Sequence, residues 1–192
     1  MIVAGIDSSL TSTGLAAVDT EARDSEALRW ALRRVPTKAV PGLAGLDSHA
    51  QRMGTIAQTV EDFLQEQQPD VVAIEGLSMA SLGNATRDLA GLWWVIVTRL
   101  ARAGFHDLVV VAPSTRAKYA TGDGRAKKPE VVDGIVAAHG LTLKRFEHDV
   151  ADAVALAALG ARRAGAPVEI VPQPWHEQVV TDFVRREMDR SA

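Results

Sequence analysis

The segment Asp70 to Glu75 (DVVAIE) constrains the fold of this chain most strongly, because it is a near-continuous apolar run with an acid at each end. Such a run is typical of a strand whose two faces are both covered by helices. The apolar residues from Leu46 to Gln67 recur at helical spacing, and a second helix is expected from about Ala80 to Ala103. The segment therefore predicts an α/β fold.

Further strands are expected on either side of these helices. The opening MIVAGID and the run LAAVD are separated by a turn of small residues, which indicates an antiparallel pair. Alternating residues from Ala27 to Val35 favour a half-exposed strand at a sheet edge, and another strand is expected from Asp107 to Ala112. Together these runs predict a mixed five-stranded sheet flanked by helices.

The second half of the chain is predicted to be mainly helical. A short capped helix is expected around Ser114, followed by a glycine-containing loop from Tyr119 to Lys128. Pro129 is expected in the first turn of a helix that runs to about His139. The last strong element is an alanine-rich helix from Asp149 to Arg163.

Composition fits one ordinary domain and excludes several kinds of site. The chain has 192 residues, of which 47% are hydrophobic and 23% charged, and its formal net charge is -3. It has no cysteine, so disulfides, thiolate zinc sites and cysteine nucleophiles are excluded. No apolar stretch approaches the roughly 20 residues of a membrane span, and we expect a cytoplasmic protein. We assign residues 1–165 to one domain and residues 166–192 to a C-terminal extension, with a short strand after Pro167 and a helix around Glu177 to Arg190.

Four acids stand where a purely structural role rarely places them. Asp7 ends the first strand and Glu75 ends the buried one, so the two lie a few ångströms apart if these strands are neighbours. Asp149 and Asp152 are three residues apart and share a helix face. Packed like charges require a cation, and carboxylates suit Mg²⁺ or Mn²⁺, two of which can activate water against a phosphodiester. The alternatives are that Asp7 is a turn residue and that Asp149 and Asp152 interact with the helix dipole. A histidine such as His148 is more often exposed to solvent than a metal ligand.

Basic residues concentrate just before the helix that Pro129 opens. Asp123 is the one acid among them, and Gly122 and Gly124 let the backbone approach a ligand closely, which suits phosphate. A solvated loop is the alternative. The candidate DNA contacts are Arg116, Lys118, Arg125, Lys127 and Lys128.

The helix expected from Ala80 to Ala103 is apolar on two sides. Consecutive residues are about 100° apart on a helix, so Trp93 belongs to one apolar stripe, and Gly91 and Trp94 to another. A helix apolar on two sides needs two partners. We expect a C₂ homodimer with Gly91 and Trp94 near its interface, the alternative being that both stripes pack within one subunit.

Four segments, in order, resemble the blocks of the RuvC-type Holliday junction resolvases, which have an RNase H-like fold. They are GIDSSLTSTGLAAV, VVAIEGL, Ala112 to Val131 with KYATGDGRAKKPEV, and HDVADAVALAA, and the likeness spans about residues 1 to 163. It implies a homodimeric endonuclease with two Mg²⁺ ions per active site, which makes symmetric nicks in four-way or other branched DNA junctions. The resemblance assigns metal binding to Asp7, Glu75, Asp149 and Asp152, and functional lysines to Lys128 and Lys118.

The chain departs from that family at two places. The loop is one residue shorter near Lys118, and Ser78 stands where the bacterial enzymes carry an aromatic residue implicated in unstacking junction bases. The divergence fits a phage-type member, and the expected location is the cytoplasm of a bacterium or of a phage-infected host cell. Two other functions stay open. One is a non-catalytic branched-DNA-binding or packaging factor on the same fold. The other is a fragment of an actin-like kinase, because the segment GIDSSLTSTG also resembles the phosphate-binding hairpin of those enzymes.

Overall fold

A computed structural model of the chain describes residues 1–24, 27–38, 45–77 and 84–191, which form one sheet and six helices. The strands are β1 (Ile2–Asp7), β2 (Ser12–Asp24), β3 (Ala27–Pro36), β4 (Val71–Glu75) and β5 (Leu108–Val111). The helices are α1 (Gly45–Gln67), α2 (Asn84–Arg102), α3 (Pro113–Thr121), α4 (Lys128–His139), α5 (His148–Arg163) and α6 (Pro174–Ser191). Neither Ser78 nor the first four residues of the helix predicted from Ala80 belong to the described part of the chain.

The strands lie in the order β3-β2-β1-β4-β5. Strands β1, β2 and β3 pair antiparallel, whereas β4 is parallel to β1 and to β5. The predicted mixed five-stranded α/β sheet is therefore confirmed. Strand β3 forms one edge of the sheet, as predicted. Leu28 and Leu32 share a face by alternation, yet Leu28 is buried and Leu32 is 38% exposed.

Helices cover both faces of the sheet, and β4 shows why its sequence is apolar throughout. Val72 and Ile74 pack into the core beneath α1 and α2, whereas Val71 and Ala73 pack into the core on the opposite face. Helix α5 lies on that opposite face, and every residue from Asp149 to Ala161 is buried. The sequence is rich in alanine because the side chains of a helix buried on all sides must be small and apolar.

The predicted loop from Tyr119 to Lys128 begins three residues too early. Tyr119 belongs to α3 and is fully buried, and its hydroxyl donates to the carbonyl of Ala158, 3.2 Å away. This packing favours a helical conformation at residues 119–121. The helix ends at Gly122, which takes the left-handed conformation (φ 85°) and donates its N–H to the carbonyl of Lys118. The loop therefore spans residues 122–127.

The prediction of a short strand after Pro167 is wrong. Residues 166–173 are irregular, because the N–H groups of Ile170 and Val171 both donate to the carbonyl of Ala138 at the end of α4 instead of to a strand. The predicted terminal helix is present as α6. It contributes Val179, Val180 and Phe183 to the core on the face of the sheet that α5 covers.

No helix among the described residues is both long enough and apolar enough to cross a membrane.

Candidate active site

Two carboxylates meet at the ends of neighbouring parallel strands. The β1–β4 register pairs Ile6 with Ile74, so the next residues, Asp7 and Glu75, lie side by side. The carboxyl group of Glu75 is close enough to raise the pKa of Asp7. Asp7 is buried, and Glu75 is half-buried at the mouth of the site. The sequence predicts that Asp7 and Glu75 lie close together if their strands are neighbours, and β1 and β4 are neighbours.

Two glycines bring the start of α5 against the same strands. A Cβ on Gly5 of β1 would collide with the carbonyl oxygen of Ala153, and one on Gly14 of β2 would collide with that of Asp149. The backbone of α5 therefore rests directly on the sheet. This contact carries Asp149 and Asp152 to the end of β1, where both are buried.

Burial and nearby negative charge raise the pKa values of Asp7 and Asp152. Burial raises the pKa of Asp7 well above its usual range, and the charges of Glu75 and Asp152 raise it further. Burial also raises the pKa of Asp152 to about 7, although the positive charge of Arg116 opposes the shift. Such perturbed carboxyls, gathered in one cleft, are typical of functional sites.

The guanidinium of Arg116 supplies positive charge inside the cluster. Its Nε donates to Oε1 of Glu75 at 2.9 Å, and its Nη1 donates to Oδ1 of Asp152. The sequence predicts Arg116 only as a DNA contact, so its place among the acids is a new finding. The signal that could have revealed it is the extent of α3: residues 116 and 118 lie about 200° apart on one helix, so only one of them can face the acids.

Lys118 is on the other side of α3. It lines a cavity with Asp182 and Arg186 of α6. The structure thus brings Arg116, and not Lys118, to the carboxylates. The one-residue shortening of the loop noted in the sequence falls in this part of the chain.

Asp149 faces a separate set of polar groups. Nδ1 of His148 lies 2.8 Å from its Oδ1, and the shortness of this contact favours an Nδ1–H that donates to the carboxylate. Nε of Arg34, from the edge strand β3, lies 3.6 Å from its Oδ2. That oxygen is buried and accepts no hydrogen bond. Sequence reasoning missed Arg34, because nothing local to β3 indicates that its end reaches α5.

The basic loop borders the acid cluster. Lys128 opens α4, and its Nζ lies 3.4 Å from Nδ1 of His148. Arg125 and Lys127 are exposed on the preceding loop. A cavity of about 490 Å³ lies between these elements, with Leu77, Arg116 and Lys128 among its lining residues. The site therefore combines buried acids, a cleft and exposed positive charge.

The four acids differ from a ready-made metal site. Within the described residues, no group of three acidic or histidine side chains is arranged to hold an ion, and the Arg116 guanidinium lies between Glu75 and Asp152. The chemistry of the donors nevertheless fits a hard divalent cation, since the acids are carboxylates at least partly removed from water and one oxygen of Asp149 is buried without a hydrogen bond. Arg116 offsets part of the negative charge that such an ion would neutralise.

The α2 surface carries the residues predicted at a dimer interface. Trp94 is 60% exposed, while Gly91 faces Met53 of α1, whose Cε would lie 3.5 Å from an added Cβ. Trp93 is half-buried against the core, and its Nε1 donates to the carbonyl of Glu75 at 2.9 Å. One subunit therefore covers Gly91 in part and leaves Trp94 uncovered.

Comparison with known proteins gives a consistent result. Residues 3–159 match the family model described as crossover junction endodeoxyribonuclease RuvC. The proteins of that name from Paenarthrobacter aurescens and Mycobacterium avium are 30% and 32% identical to this chain, each over 85% of it and over 82% and 83% of their own lengths.

The chain also resembles solved structures. The RuvC structure from Thermus thermophilus superposes with a TM-score of 0.65 and 25% identity, over 88% of this chain and all of that one. The same organism's RuvC in complex with Holliday junction substrate gives a TM-score of 0.67 at 24% identity, over 88% and 99% of the two chains.

Proposed function

This chain belongs to the family of RuvC crossover junction endodeoxyribonucleases, and from that membership we propose that it cuts four-way DNA junctions by paired, symmetric nicks. It is a metal-dependent endonuclease with an RNase H-like fold. Its metal we propose to be Mg²⁺, replaceable by Mn²⁺, with two ions in each active site. A cytoplasmic location is part of the same proposal, while a phage origin stays a prediction.

One observation carries the proposal: a buried carboxylate cluster opens beside a basic loop. Binding a phosphate alone needs positive charge, and buried acids beside the loop would oppose it. Asp7 and Asp152 retain protons more strongly than ordinary carboxyls, because burial disfavours their charged forms. A cluster that is costly when empty of cations supports catalysis over simple DNA binding.

We assign the metal-holding role to Asp7, Glu75, Asp149 and Asp152. Bound divalent ions would supply an activated water and stabilise the leaving oxygen of the phosphodiester. The residues of the chain orient the reaction: the sheet fixes Asp7 and Glu75, and the close contact of α5 fixes the other two. Lys128, at the border of the cleft, meets the scissile phosphate.

Exposed positive charge gives the DNA its path to the site. Arg125 and Lys127 precede Lys128 on the loop and meet neighbouring phosphates, while Lys118 contacts DNA further from the acids. A junction has two equivalent scissile strands, so we propose a two-fold dimer with Trp94 and Gly91 at its interface. The exposed Trp94 supports this part of the proposal.

The proposal is tested by incubating the protein with an end-labelled synthetic four-way junction, in Mg²⁺ and in EDTA. A linear duplex of the same sequence and the Asp7→Asn variant are the controls. We expect paired nicks on opposite strands of the junction, only with Mg²⁺ and only for the unaltered chain. Tight junction binding without nicks would instead support a packaging or DNA-binding factor, and an ATP-induced rise in melting temperature would support a kinase-like fragment.

A further inference from the structure

The C-terminal segment touches the end of α3 through the indole of Trp175. Nε1 of Trp175 donates to the carbonyl of Tyr119 at 3.0 Å. This carbonyl is among the last four of α3, which have no partner inside the helix. The contact therefore completes the C-terminal end of α3 from outside.

The same indole covers the first residue of the basic loop. A Cβ added to Gly122 would lie 3.1 Å from Cδ2 of Trp175, so the ring packs closely on the glycine backbone. Gly122 has a φ of 85°, which a residue with a side chain rarely adopts. Trp175 thus lies where the chain leaves α3 and turns into residues 123–127.

The loop beyond this point is held mainly by its own hydrogen bonds. Asp123 accepts the N–H of Arg125 at 2.9 Å with its carboxylate and that of Ala126 at 3.2 Å with its carbonyl. The backbone also approaches the body of the protein at Gly124, where an added Cβ would be 3.0 Å from the carbonyl oxygen of Ser114. Thr121 at the end of α3 also accepts the N–H of Asp123, and Glu130 of α4 accepts that of Lys127, so the unit is attached at both ends and packs closely at the two glycines.

Trp175 is itself fixed by a buried cluster. The ring of the next residue, His176, stacks on Tyr119 with centroids 4.6 Å apart and planes 18° apart. The side chain of Glu169 is fully buried, accepts a hydrogen bond from the Tyr119 hydroxyl and pairs with Arg162 at 2.6 Å. These contacts join the start of α6 to α3 and α5, so the indole rests on a rigid base.

We propose that Trp175 is a positioning residue that sets the path of residues 122–127 and, through them, the place of Lys128 at the active site. The inference rests on the proposed function, in which this loop and Lys128 meet DNA. It gives a role in the reaction to the C-terminal segment, which lies beyond the residues that the sequence resemblance spans.

Amide hydrogen exchange in the DNA-free protein tests the first half of the inference. Trp175→Ala should speed exchange at Gly122, Arg125 and Ala126 at least tenfold, with α5 unchanged. Trp175→Phe keeps most of the packing and loses the N–H, so its exchange rates at these amides should lie between those of the unaltered chain and of Trp175→Ala. The control is Val184→Ala, which trims a residue of the same helix that packs on the core. Unchanged loop protection in Trp175→Ala, or equal loss in the control, would overturn the proposal.

A double-mutant cycle tests the contact itself. Gly122→Ala should lower the melting temperature more in the unaltered chain than in Trp175→Ala, because the added Cβ meets the indole only in the former. The backbone strain at φ 85° is common to both backgrounds and cancels. Equal losses in the two backgrounds would show that the ring does not define the position of Gly122.

Cleavage kinetics test the second half. At saturating enzyme, Trp175→Ala should cut the junction at least tenfold more slowly, with junction affinity changed less than threefold and Trp175→Phe restoring most of the rate. Increased loop exchange with an unaltered rate would overturn the link to Lys128. If the unaltered chain cuts no junction, the proposed function fails, whereas the exchange and melting experiments still decide whether Trp175 sets the loop.

Discussion

Arg116 holds Glu75 with one edge of its guanidinium, since Nε and Nη2 lie 2.9 and 2.8 Å from the same oxygen, Oε1. The third nitrogen pairs with Asp152. A single arginine on a nine-residue helix therefore balances acids from a strand and from another helix. It pairs with two of the acids that a divalent cation would also need.

Removing Arg116 should expose this competition. In Arg116→Ala the acids lose their internal counter-charge, so the melting temperature in EDTA should fall. Mn²⁺ should bind about tenfold tighter, equivalent to about 1.4 kcal/mol, because no guanidinium has to be displaced. Titration calorimetry and thermal melting measure the two effects. Weaker Mn²⁺ binding in the variant would show that Arg116 supports the metal and does not compete with it.

Removing a metal ligand should separate cleavage from binding. Asp7→Asn and Glu75→Gln should abolish nicking, while junction affinity stays equal or rises because negative charge facing the phosphates is lost. Gel cleavage and fluorescence anisotropy on the same labelled junction provide the comparison. Nicking at the unaltered rate in Mg²⁺ would remove the residue from the metal-binding set.

Lys128 should affect the rate more than the affinity. Lys128→Ala is expected to slow cleavage at least tenfold, about 1.4 kcal/mol in the barrier, since a lysine there stabilises charge on the phosphate. Lys118→Ala, on the far side of α3, should cost less rate. A Lys128→Ala defect that disappears at saturating enzyme would make Lys128 a docking residue.

The raised pKa of Asp152 should be visible in the pH dependence of the protein's stability. Its folded pKa of about 7 exceeds the ordinary value of 3.8, so the folded state binds the extra proton and loses stability as pH rises through this window. Asp152→Asn removes that loss. In EDTA, the variant should match the unaltered chain near pH 4 and melt at least about 3 °C higher at pH 8. A difference that is constant with pH would contradict the raised pKa.

Trp94 should control the oligomeric state. Light scattering at micromolar concentration is expected to give twice the 20.5 kDa chain mass, and Trp94→Asp should shift it to the monomer without unfolding. Far-UV circular dichroism checks the fold of the variant. A stable monomer that still makes paired nicks would exclude the two-fold dimer as the basis of symmetry.

The acids could be anticipated from sequence because each lies at an element boundary that periodicity marks. Asp7 and Glu75 end apolar strands, and Asp152 follows Asp149 by a spacing that is meaningful on any helix. Arg116 is different, because helical spacing shows only that residues 116 and 118 face apart, and not which of them faces the acids.

Long-range contacts were beyond the sequence for a different reason. Arg34 reaches Asp149 across the sheet, and Trp175 reaches Gly122 from a segment more than fifty residues later. No local pattern encodes either contact. The strand wrongly predicted after Pro167 has the same origin, since the end of α4, distant in sequence, supplies the hydrogen-bond acceptor.

The contact between α5 and the sheet has a consequence for mutagenesis. Any side chain at Gly5 or Gly14 must push the backbone of α5 outward, and Asp149 and Asp152 move with it. A random screen for chains that fold yet fail to cut DNA should therefore recover substitutions at these two positions, although a glycine contributes no reactive group. Geneticists would read such hits as catalytic losses, while their origin would be the spacing between a helix and a sheet.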